Sequence, residues 1–565
     1  MNRKQRRAQE KGTARGGTPV AAAAGSPPPD QAAILNSQAI ALFNAGQIAQ
    51  AVPLLRQAVM LAPADPMYSS NLGELLRLSG KLEEAAAALD RAVTLTPPYA
   101  DAHSNRGNLL RQLGRIAEAR EAYLTALRIR PAYPEALSNL ATTQMDLGDF
   151  AGAAETLRDA IKLNPQLAVL HRNLSLALHS IGDHEGAEKA FAAMENAPVR
   201  PQHEMVETII ARGDMARFNN DLDAALHHYE QAWKLQPGHP MAHMRYGTAM
   251  MVKGDYRAAW PHFGARWNMP DAAQDRRPFT LPFWQGEHLP PGGKMLLFTE
   301  QGVGESLVLW SLMPELLARG ITPVVETDPR MIPILRRSFP GVEILERINP
   351  PQPRLLQSDL VVQATLFDLA AVFRQSPADC TGALPLKADM SRAATIRAQY
   401  QADDPRPLIG IAWHSANVKL GAPKSAALTN LAPLLTLPGY RFVDLQYGNR
   451  ADDRDALKTK HGVDLLHDAT IDQFKDLDGF AAQVAALDMV ISTSNTTAHM
   501  AAAVGKPTWL MLHKGISPHW YWTRDGATTP WYPTARLWRQ QAANDWSGLA
   551  EIIAAELPKA LPSAT

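Results

Sequence analysis

The sequence has almost no cysteine, no excess of either charge and no long apolar run. Cys380 is the single cysteine in 565 residues, which excludes a disulfide scaffold and a cysteine-rich zinc site. Lys and Arg total 56 and so do Asp and Glu, so the basic excess of a general nucleic-acid binder is missing. No apolar stretch is long enough for a transmembrane helix, and the basic start lacks the apolar segment of a signal peptide. We therefore expect a cytoplasmic protein that binds no nucleic acid.

The chain is long enough for about three to four domains, and 46% of its residues are hydrophobic, which is ample for packed cores. Residues 1–31 are different, because they are basic and nearly free of large apolar side chains. Such a segment buries too little surface to offset its ordering entropy, so we predict a disordered basic tail. The tail has the charge to touch a membrane or RNA, but a solubilising role is the simpler interpretation.

After the tail, the sequence repeats with a period of 34 residues. The columns that share this register are Gly46, Gly80, Gly114, Gly148 and Gly182; Ala51, Ala85, Ala119, Ala153 and Ala187; Ala58, Ala92, Ala126 and Ala160; and Pro63, Pro97, Pro131 and Pro165. A period of 34 is typical of tetratricopeptide (TPR) helix-turn-helix repeats. The glycine allows the turn between the two helices, the alanines let them approach closely, and the proline ends the second helix. We predict about seven repeats over 32–267, stacked into a superhelix with a concave groove.

A further column of asparagines has the same spacing: Asn71, Asn105, Asn139 and Asn173. A carboxamide offers both a donor and an acceptor, so a line of them can hold a peptide backbone without reading its side chains. The column resembles the asparagine ladder in the TPR superhelix of the eukaryotic O-GlcNAc transferase, and it predicts binding of a protein acceptor. The alternative is that each asparagine only bonds the neighbouring repeat.

The second half changes from helical repeats to alternating strands and helices. Residues 268–293 are rich in proline and aromatic residues and predict an ordered linker. A strand from Lys294, a glycine-rich loop, a helix and a strand at 322–327 follow, which predict a first Rossmann-like unit over 294–400. Further strands near Leu408, Arg441, Met489 and Thr508 predict a second unit over 401–565. The predicted fold class is α + α/β, a TPR α-solenoid followed by two Rossmann-like units.

Several short segments of this half match one family. They are Glu300-Gln-Gly-Val-Gly-Glu-Ser, Gly410-Ile-Ala-Trp-His-Ser, Asp488-Met-Val-Ile-Ser, Thr497-Ala-His-Met-Ala-Ala-Ala-Val-Gly-Lys-Pro, and Trp531-Tyr-Pro with Leu537-Trp-Arg-Gln. Together they resemble the GT-B glycosyltransferases of the ADP-heptose:lipopolysaccharide heptosyltransferase type, and more closely the bacterial proteins that carry this module behind TPR repeats. Among these, alphaproteobacterial flagellin glycosyltransferases are nearest in architecture.

The resemblance implies transfer of a sugar from a nucleotide-sugar donor to a protein acceptor held by the repeats, by inverting direct displacement and without a metal or other cofactor. The chain departs from the family pattern at two positions and in the short length of its first Rossmann-like unit. The family's usual Gly-Asp is Gly304-Glu305 here, which keeps a carboxylate. Its frequent Val-Asp-Thr is Thr493-Ser494-Asn495, which removes an acid from the donor site.

The predicted catalytic residues are Glu305, as the base that deprotonates the acceptor hydroxyl, and His414 as the reserve base. The alternative for Glu305 is that it complements a helix dipole, and for His414 that it is a buried, hydrogen-bonded histidine. The predicted donor- and phosphate-binding residues are Gly302, Gly304, Lys424, Asn495, Thr496, Thr497 and His499. Lys419 is a second candidate for the diphosphate, although an exposed loop lysine is the simpler interpretation there.

Two rival functions and two ambiguous motifs remain at this stage. One is a non-catalytic TPR scaffold, which fits the missing acid at Ser494, and the other is a glycosyltransferase that acts on lipopolysaccharide or another glycan instead of a protein. The aromatic run from Trp520 to Trp522 either stacks on a ligand or fills the joint between domains. Asp476-Leu-Asp478 formally matches a metal-binding DxD pattern, but helix capping explains it, so we predict no metal site.

Overall fold

The structure is a computed structural model that describes residues 31–195, 202–269, 276–300, 302–382, 386–415, 424–514, 519–542 and 544–562. The predicted disordered tail lies outside the described residues except for Gln31, where the first helix begins, and Lys419 also lies outside them. The chain packs as two compact units, Met1–Thr143 and Gln144–Thr565, which are described separately below.

The first unit consists of paired helices at the predicted period. Its helices are α1 (Gln31–Asn44), α2 (Ile48–Leu61), α3 (Pro66–Leu78), α4 (Leu82–Thr94), α5 (Ala100–Gln112), α6 (Ile116–Ile129) and α7 (Pro134–Asp146), the last of which contains the division between the units. The second unit continues with α8 (Phe150–Leu163), α9 (Ala168–Ser180), α10 (His184–Glu195), α11 (Gln202–Phe218), α12 (Leu222–Leu235), α13 (Pro240–Lys253) and α14 (Tyr256–Phe263).

The repeat columns have the structural roles that the sequence predicts. The five glycines of the column from Gly46 to Gly182 all have φ between 75° and 84°, the left-handed region that glycine adopts without strain. The five alanines of the column from Ala51 to Ala187 are fully buried between helices. These two observations confirm the helix-turn-helix interpretation of the 34-residue period.

The helical part is followed by two parallel sheets. The first contains β1 (Lys294–Phe298), β2 (Val324–Thr327), β3 (Glu343–Glu346) and β4 (Leu360–Thr365) in the order β3-β2-β1-β4, with helices α15 (Val303–Leu309), α16 (Met313–Ala318), α17 (Ile332–Ser338) and α18 (Leu366–Phe373). The strand β1 is a nearly continuous apolar run, as expected where helices cover both faces of a parallel sheet. The predicted strand at 322–327 begins two residues later than expected.

The second sheet contains β5 (Leu408–Ala412), β6 (Arg441–Asp444), β7 (Met489–Thr493), β8 (Thr508–Leu512) and β9 (Ala535–Arg539) in the order β6-β5-β7-β8-β9. Its helices are α19 (Met390–Tyr400), α20 (Ala432–Leu435), α21 (Ala451–His461), α22 (Leu477–Ala486), α23 (Thr496–Ala503) and α24 (Trp546–Ala560). All strand pairs in both sheets are parallel. The fold is therefore α + α/β, as the sequence predicts.

The predicted boundary at residue 267 separates helices from strands, but the hydrophobic core continues across it. One cluster of buried side chains extends from Val206 in α11 to Leu537 in β9. Hydrogen bonds also cross the boundary, since Trp260 donates its indole N–H to the carbonyl of Arg374 and Trp531 donates to Tyr256 Oη at 3.0 Å. The last repeats and the sheets therefore share one core.

The segment between α14 and β1 is ordered where the structure describes it. Trp284 is buried, and its backbone N–H donates to Gln363 O at 2.9 Å, beside β4. Phe279 packs against Phe298 of β1 with ring centroids 5.8 Å apart. Within the described parts of the chain, no helix has the length and apolarity needed to cross a membrane.

Candidate functional site

The carboxyl ends of both sheets face one cavity. In the first sheet, β2 and β4 lie on opposite sides of β1. In the second sheet, β6 and β7 lie on opposite sides of β5. Ligands of open parallel sheets bind outside such switch points. Loops that follow β1, β5 and β7 line a cavity of about 380 Å³, which we call the central cavity.

Most of the predicted site residues line the central cavity. Those at its walls are Gly302, Gly304, Glu305, Lys424, Asn495, Thr496, Thr497 and His499, whereas His414 is not among the lining residues. A Cβ added at Gly304 would lie 3.5 Å from His499 Cδ2 and 3.7 Å from Thr496 Oγ1. The glycine-rich loop after β1 thus approaches the start of α23 closely.

Glu305 lies in the first turn of α15 and is half-buried. Burial raises the pKa of its carboxyl group, while its own backbone N–H and the nearby Lys424 ammonium act in the opposite direction. The contact with its own backbone N–H supports the helix-dipole alternative in part. A raised pKa makes the carboxylate a stronger base than an ordinary glutamate, which is the direction that a general base needs.

Lys424 is a buried cation that also lines the central cavity, with 4% of its surface exposed. Burial lowers the pKa of its ammonium group to about 8; Glu305 opposes that shift and Arg217 adds to it. Its Nζ contacts Nε2 of His519, whose own pKa is lowered well below the ordinary value by burial and by Lys424. His519 is therefore neutral and accepts a hydrogen bond from the ammonium group.

Asn495 caps α23 and uses much of the hydrogen-bonding capacity that we expected for phosphate. Its Oδ1 accepts from the backbone N–H groups of Thr497 and Ala498 at 3.0 and 3.3 Å, and its Nδ2 donates to His414 O at 3.1 Å. Thr497 is fully buried and donates its hydroxyl to Leu445 O at 3.4 Å. Thr496, which is half-buried, is the hydroxyl residue of this turn that remains best placed for a ligand.

His499 is held among aromatic rings at the floor of the central cavity. Its Nδ1 lies 3.0 Å from Tyr532 Oη, and its ring stacks on Trp522 with centroids 5.0 Å apart. Burial, followed by the charge of Lys424, lowers the pKa of His499 to about 3. The imidazole is neutral at physiological pH and so can offer a hydrogen bond but no charge to a phosphate.

The backbone N–H and carbonyl of His414 form hydrogen bonds within the second sheet's loops. Its N–H donates to Gln446 Oε1 at 2.8 Å, and its carbonyl accepts from Gln446 Nε2 at 3.1 Å. Burial and then Arg450 lower the pKa of the half-buried imidazole, and Asp453 opposes that shift. Arg450 and Asp453 lie at the start of α21, so these are the charged groups that act on the ring.

Further residues that the sequence did not single out for this role also line the central cavity, among them Arg330, Tyr447, Gln473 and Phe474. Arg330 forms an ion pair with Asp328 at 2.6 Å and donates to Phe474 O at 2.8 Å. Tyr447 follows β6 and could have been found as a polar residue beyond a strand end. The others come from loops whose approach depends on tertiary packing.

The aromatic run from Trp520 to Trp522 fills the joint between the repeats and the sheets. Trp520 is buried and packs edge-to-face on Trp531 at 4.8 Å and on Trp260 of α14 at 6.2 Å. Trp522 is 1% exposed and donates its indole N–H to Ser494 Oγ at 2.9 Å. Trp520 and Trp522 therefore pack in the joint, whereas Tyr521 lines the central cavity, where the ligand-stacking interpretation stays a prediction.

Three of the four ladder asparagines bond the preceding repeat in the first unit. Asn71 Nδ2 donates to Asn36 Oδ1 at 2.8 Å, Asn105 Nδ2 to Ser70 Oγ at 3.1 Å, and Asn139 Nδ2 to Asn108 Oδ1 at 3.0 Å. All four, including Asn173 in the second unit, are half-buried. Each of these three asparagines therefore uses one amide N–H for a hydrogen bond to the preceding repeat, as the alternative interpretation requires. The second N–H and the carbonyl oxygen of each side chain are the groups that we expect to bind a peptide.

The DxD-like segment caps and anchors a helix. Asp476 caps α22 by accepting from Gly479 N at 2.7 Å, and Asp478 pairs with Arg337 at 2.8 Å. Across the described ranges, no three His, Cys, Asp or Glu side chains converge as metal ligands.

Comparison with known proteins identifies the class of the first half. Models described as "Tetratricopeptide repeat" match residues 36–100, 138–201 and 210–266, and one described as "TPR repeat" matches 107–148. The chain is therefore a TPR-containing protein. Protein FlbA of Caulobacter vibrioides (strain ATCC 19089 / CIP 103742 / CB 15) is 30% identical over 350 residues, which cover 58% of this chain and 57% of FlbA. This chain thus aligns with just over half the length of that relative.

Solved structures are similar to part of the chain. One is YrrB, described as a TPR protein with an unusual peptide-binding site, with 24% identity, a TM-score of 0.27, and coverage of 33% of this chain and 95% of YrrB. Another is PilW, described as a widely conserved type IV pilus biogenesis factor, with 18% identity, a TM-score of 0.33, and coverage of 37% and 96%.

Proposed function

We propose that this protein is a glycosyltransferase that moves a sugar from a nucleotide-sugar donor onto a protein acceptor. The observation that carries the proposal is the central cavity, where a half-buried carboxylate and a buried ammonium group both line the switch points of two parallel sheets and interact electrostatically. Its volume of about 380 Å³ falls in the range of small-molecule sites. The sequence resemblance to TPR-linked GT-B enzymes supports the same chemistry.

In the proposed reaction, the acceptor hydroxyl oxygen attacks the anomeric carbon while the bond from that carbon to the phosphate oxygen breaks. Glu305 takes the hydroxyl proton, and the nucleotide leaves with the bonding electron pair. Lys424 and Thr496 stabilise the charge that develops on the departing phosphate. Attack from the face opposite the leaving group inverts the anomeric centre.

The TPR repeats are the proposed binding site for the acceptor, because stacked repeats present extended peptide-binding surfaces. The resemblance to flagellin glycosyltransferases makes flagellin the first acceptor to test. A non-catalytic scaffold is the second candidate, and it is supported by Ser494, which stands where the resembled enzymes carry an acid and is bonded to Trp522.

The decisive experiment screens CMP-, UDP-, GDP- and ADP-sugars against the purified full-length chain for thermal stabilisation, and then for nucleotide release with purified flagellin. We expect one nucleotide class to stabilise the protein and to be turned over. Lys424→Ala should abolish the stabilisation, and Lys458→Ala, which changes an exposed lysine paired with Asp464, should preserve it. Absence of stabilisation by every donor would leave the scaffold as the better function.

A further inference from the structure

Gln473 carries a buried hydrogen-bond donor in the wall of the central cavity. The side chain lines this cavity with only 9% of its surface exposed. Its Nε2 group has no hydrogen-bond partner within the described ranges of the chain. A buried donor of this kind costs stability, because the group has lost its water and has gained no acceptor in exchange. The unpaired donor therefore points to an acceptor that a ligand in the cavity supplies.

Phe474, the next residue, presents an aromatic ring to the same cavity. It lines the central cavity although it is a large apolar residue with 61% of its surface exposed. Arg330 lies over the ring, with its Cζ atom 4.7 Å from the ring centroid, and its Nη1 donates to Phe474 O at 2.8 Å. These two contacts fix the ring in place. An exposed aromatic face in a cavity wall is a surface on which a planar ligand stacks.

The turn that carries Gln473 and Phe474 is held in place by the chain itself. Asp472 Oδ1 accepts hydrogen bonds from the backbone N–H groups of Phe474 and Lys475, each at 3.0 Å. The helix α22 begins at Leu477, and this residue adds an apolar part to the cavity wall. The two side chains thus project from a preorganised turn, which lowers the entropy that binding of a ligand costs.

We propose that Gln473 and Phe474 form the nucleobase subsite of the central cavity, in which Phe474 stacks on the base and Gln473 selects it. The Nε2 group donates to a carbonyl oxygen or ring nitrogen of the base, and Oε1 accepts from the neighbouring N–H. A carboxamide can form this pair of hydrogen bonds because it has a donor and an acceptor side by side. The phosphates lie with Lys424 and Thr496. This inference rests on the proposed function for the presence of a nucleotide in the cavity.

The test measures the affinities of the full-length protein for ADP, GDP, CDP and UDP by calorimetric titration, because these nucleotides differ only in the base. We expect the protein to prefer one of them over the least favoured by about tenfold or more, the scale of one hydrogen bond. Gln473→Met should reduce this preference to about threefold or less, because methionine is similar in length and has no N–H donor. Equal affinities for the four nucleotides, no binding of any of them, or an undiminished preference in Gln473→Met overturns the proposal.

Stability separates a ligand-binding role of Gln473 from a structural one. Gln473→Met removes a buried donor that has no partner, so the midpoint of urea unfolding without nucleotide should not fall. Inorganic pyrophosphate, which has no base, should bind this variant as tightly as it binds the wild-type protein. Gln399→Met, at an exposed position of α19, is the matched control and should change neither the midpoint nor the base preference. A lower midpoint of Gln473→Met together with weaker binding of pyrophosphate overturns the proposal.

Variants of Phe474 test the stacking surface. Phe474→Ala should weaken binding of all four nucleotides about tenfold and leave the binding of pyrophosphate unchanged, because the alanine has no ring on which a base can stack. Phe474→Trp should retain nucleotide binding because it keeps an aromatic face. Weaker binding of pyrophosphate in Phe474→Ala, to the same extent as of the nucleotides, overturns the stacking role.

Turnover, measured on the same samples with nucleotide sugars and purified flagellin, separates the two proposals. A base preference that depends on Gln473, without turnover of any nucleotide sugar, would retain the subsite and reject glycosyl transfer. Turnover with an unchanged base preference in Gln473→Met would retain glycosyl transfer and reject the subsite. If this variant weakens binding of the nucleotide sugar but not of the matching nucleoside diphosphate, Gln473 contacts the sugar and its assignment to the base is wrong.

Discussion

Ser494 accepts a hydrogen bond from the indole N–H of Trp522 across 2.9 Å, at the position where the glycosyltransferases that the sequence resembles carry an acid. Trp522 in turn stacks on His499, so the serine helps to fix the floor of the central cavity. The replacement therefore removes a negative charge from the proposed phosphate site and gives the residue a structural role.

Substitution of Ser494 separates these two effects. Ser494→Ala leaves a buried indole N–H without its acceptor and should lower the free energy of unfolding by about 1–3 kcal/mol, as measured by denaturant titration. Ser494→Asp keeps an acceptor but adds charge, so a nucleoside diphosphate should bind about tenfold more weakly. Ser494→Thr retains the hydroxyl and is the control; a loss of stability as large as that of the alanine variant would contradict this explanation.

Glu305→Gln should lower turnover by about 10²-fold or more, the scale of a lost general base, while nucleotide-sugar binding and folding remain intact. The amide is nearly the size of the carboxyl group but cannot accept the acceptor proton. Steady-state turnover and donor thermal stabilisation are the two measurements. Near-normal turnover would transfer the role of base to another group.

Binding of a nucleoside diphosphate should weaken as the pH rises through about 8. Below that pH Lys424 is protonated, and above it the free protein loses the charge that the phosphates need, because burial has lowered the pKa of this ammonium group. Between about pH 8 and 9 the affinity should fall by up to about tenfold. Calorimetric titration of Lys424→Arg provides the control, since its guanidinium group stays charged over that range. The same pH dependence in both proteins would rule out Lys424 as the titrating group.

The asparagine column should contribute to peptide binding and to repeat stability separately. Changing Asn71, Asn105, Asn139 and Asn173 together to Ala should weaken binding of the acceptor by about a hundredfold or more, at about 1 kcal/mol per contact if the contacts add. Affinity is measured on the full-length protein.

A triple variant of Asn36, Ser70 and Asn108 to Ala provides the matched control for the column. It removes the partners of the same inter-repeat hydrogen bonds and leaves the four ladder residues in place. We expect it to lower stability with little loss of acceptor binding. Equal losses of acceptor binding in the two variants would show that the column acts only through repeat packing.

Arg266 should be essential for the stability of the joint between the repeats and the first sheet. It is buried and bonds Glu300 through Nε at 3.0 and 3.1 Å and Asp368 through Nη2 at 3.0 Å. Arg266→Met should cost about 3–5 kcal/mol, because two carboxylates lose their buried partner.

The pH dependence of Arg266→Met follows from Glu300. Burial raises the pKa of that carboxyl group in the folded state, and Arg266 opposes the shift, so removal of the arginine should raise the pKa further. The folded state then holds a proton that the unfolded chain has released, so stability should fall as pH rises from the ordinary pKa of glutamate through the raised one. Adding Glu300→Gln should recover part of the loss in a denaturation titration. No recovery would indicate that Glu300 is not the source of the penalty.

The sequence was sufficient to predict that helical repeats come first along the chain and that α/β units follow them. The 34-residue columns predicted the helix pairs because a turn glycine and a buried alanine are local requirements that recur in every repeat. Strand-loop-helix patterns likewise predicted the strands at Lys294, Leu408 and Met489, since these are short apolar runs next to glycine or capping residues. The strands β3, β4 and β9 were not predicted, because their sequences lack a comparably clear boundary.

The sequence also predicted some of the residues that line the central cavity. Polar and glycine residues that follow parallel strands meet at one sheet edge, which is why Gly304, Glu305 and Thr496 were candidates before the structure was known. The use of Asn495 as a helix cap and the placement of the His414 ring beside α21 depend on contacts between distant segments, so sequence spacing alone did not separate them from ligand-binding roles.

By itself, then, the sequence determined the repeat class, the two α/β units and the loops at their sheet edges, because local backbone preferences and hydrophobic periodicity specify these features. Only the tertiary structure decided that the last repeats share a core with the sheets and that Gln473 and Phe474 line the central cavity. It also decided that Lys424 and His499 are buried deeply enough to change their pKa values. The physical reason is that desolvation and charge pairing depend on which distant segments exclude water from one another, and no local pattern records that.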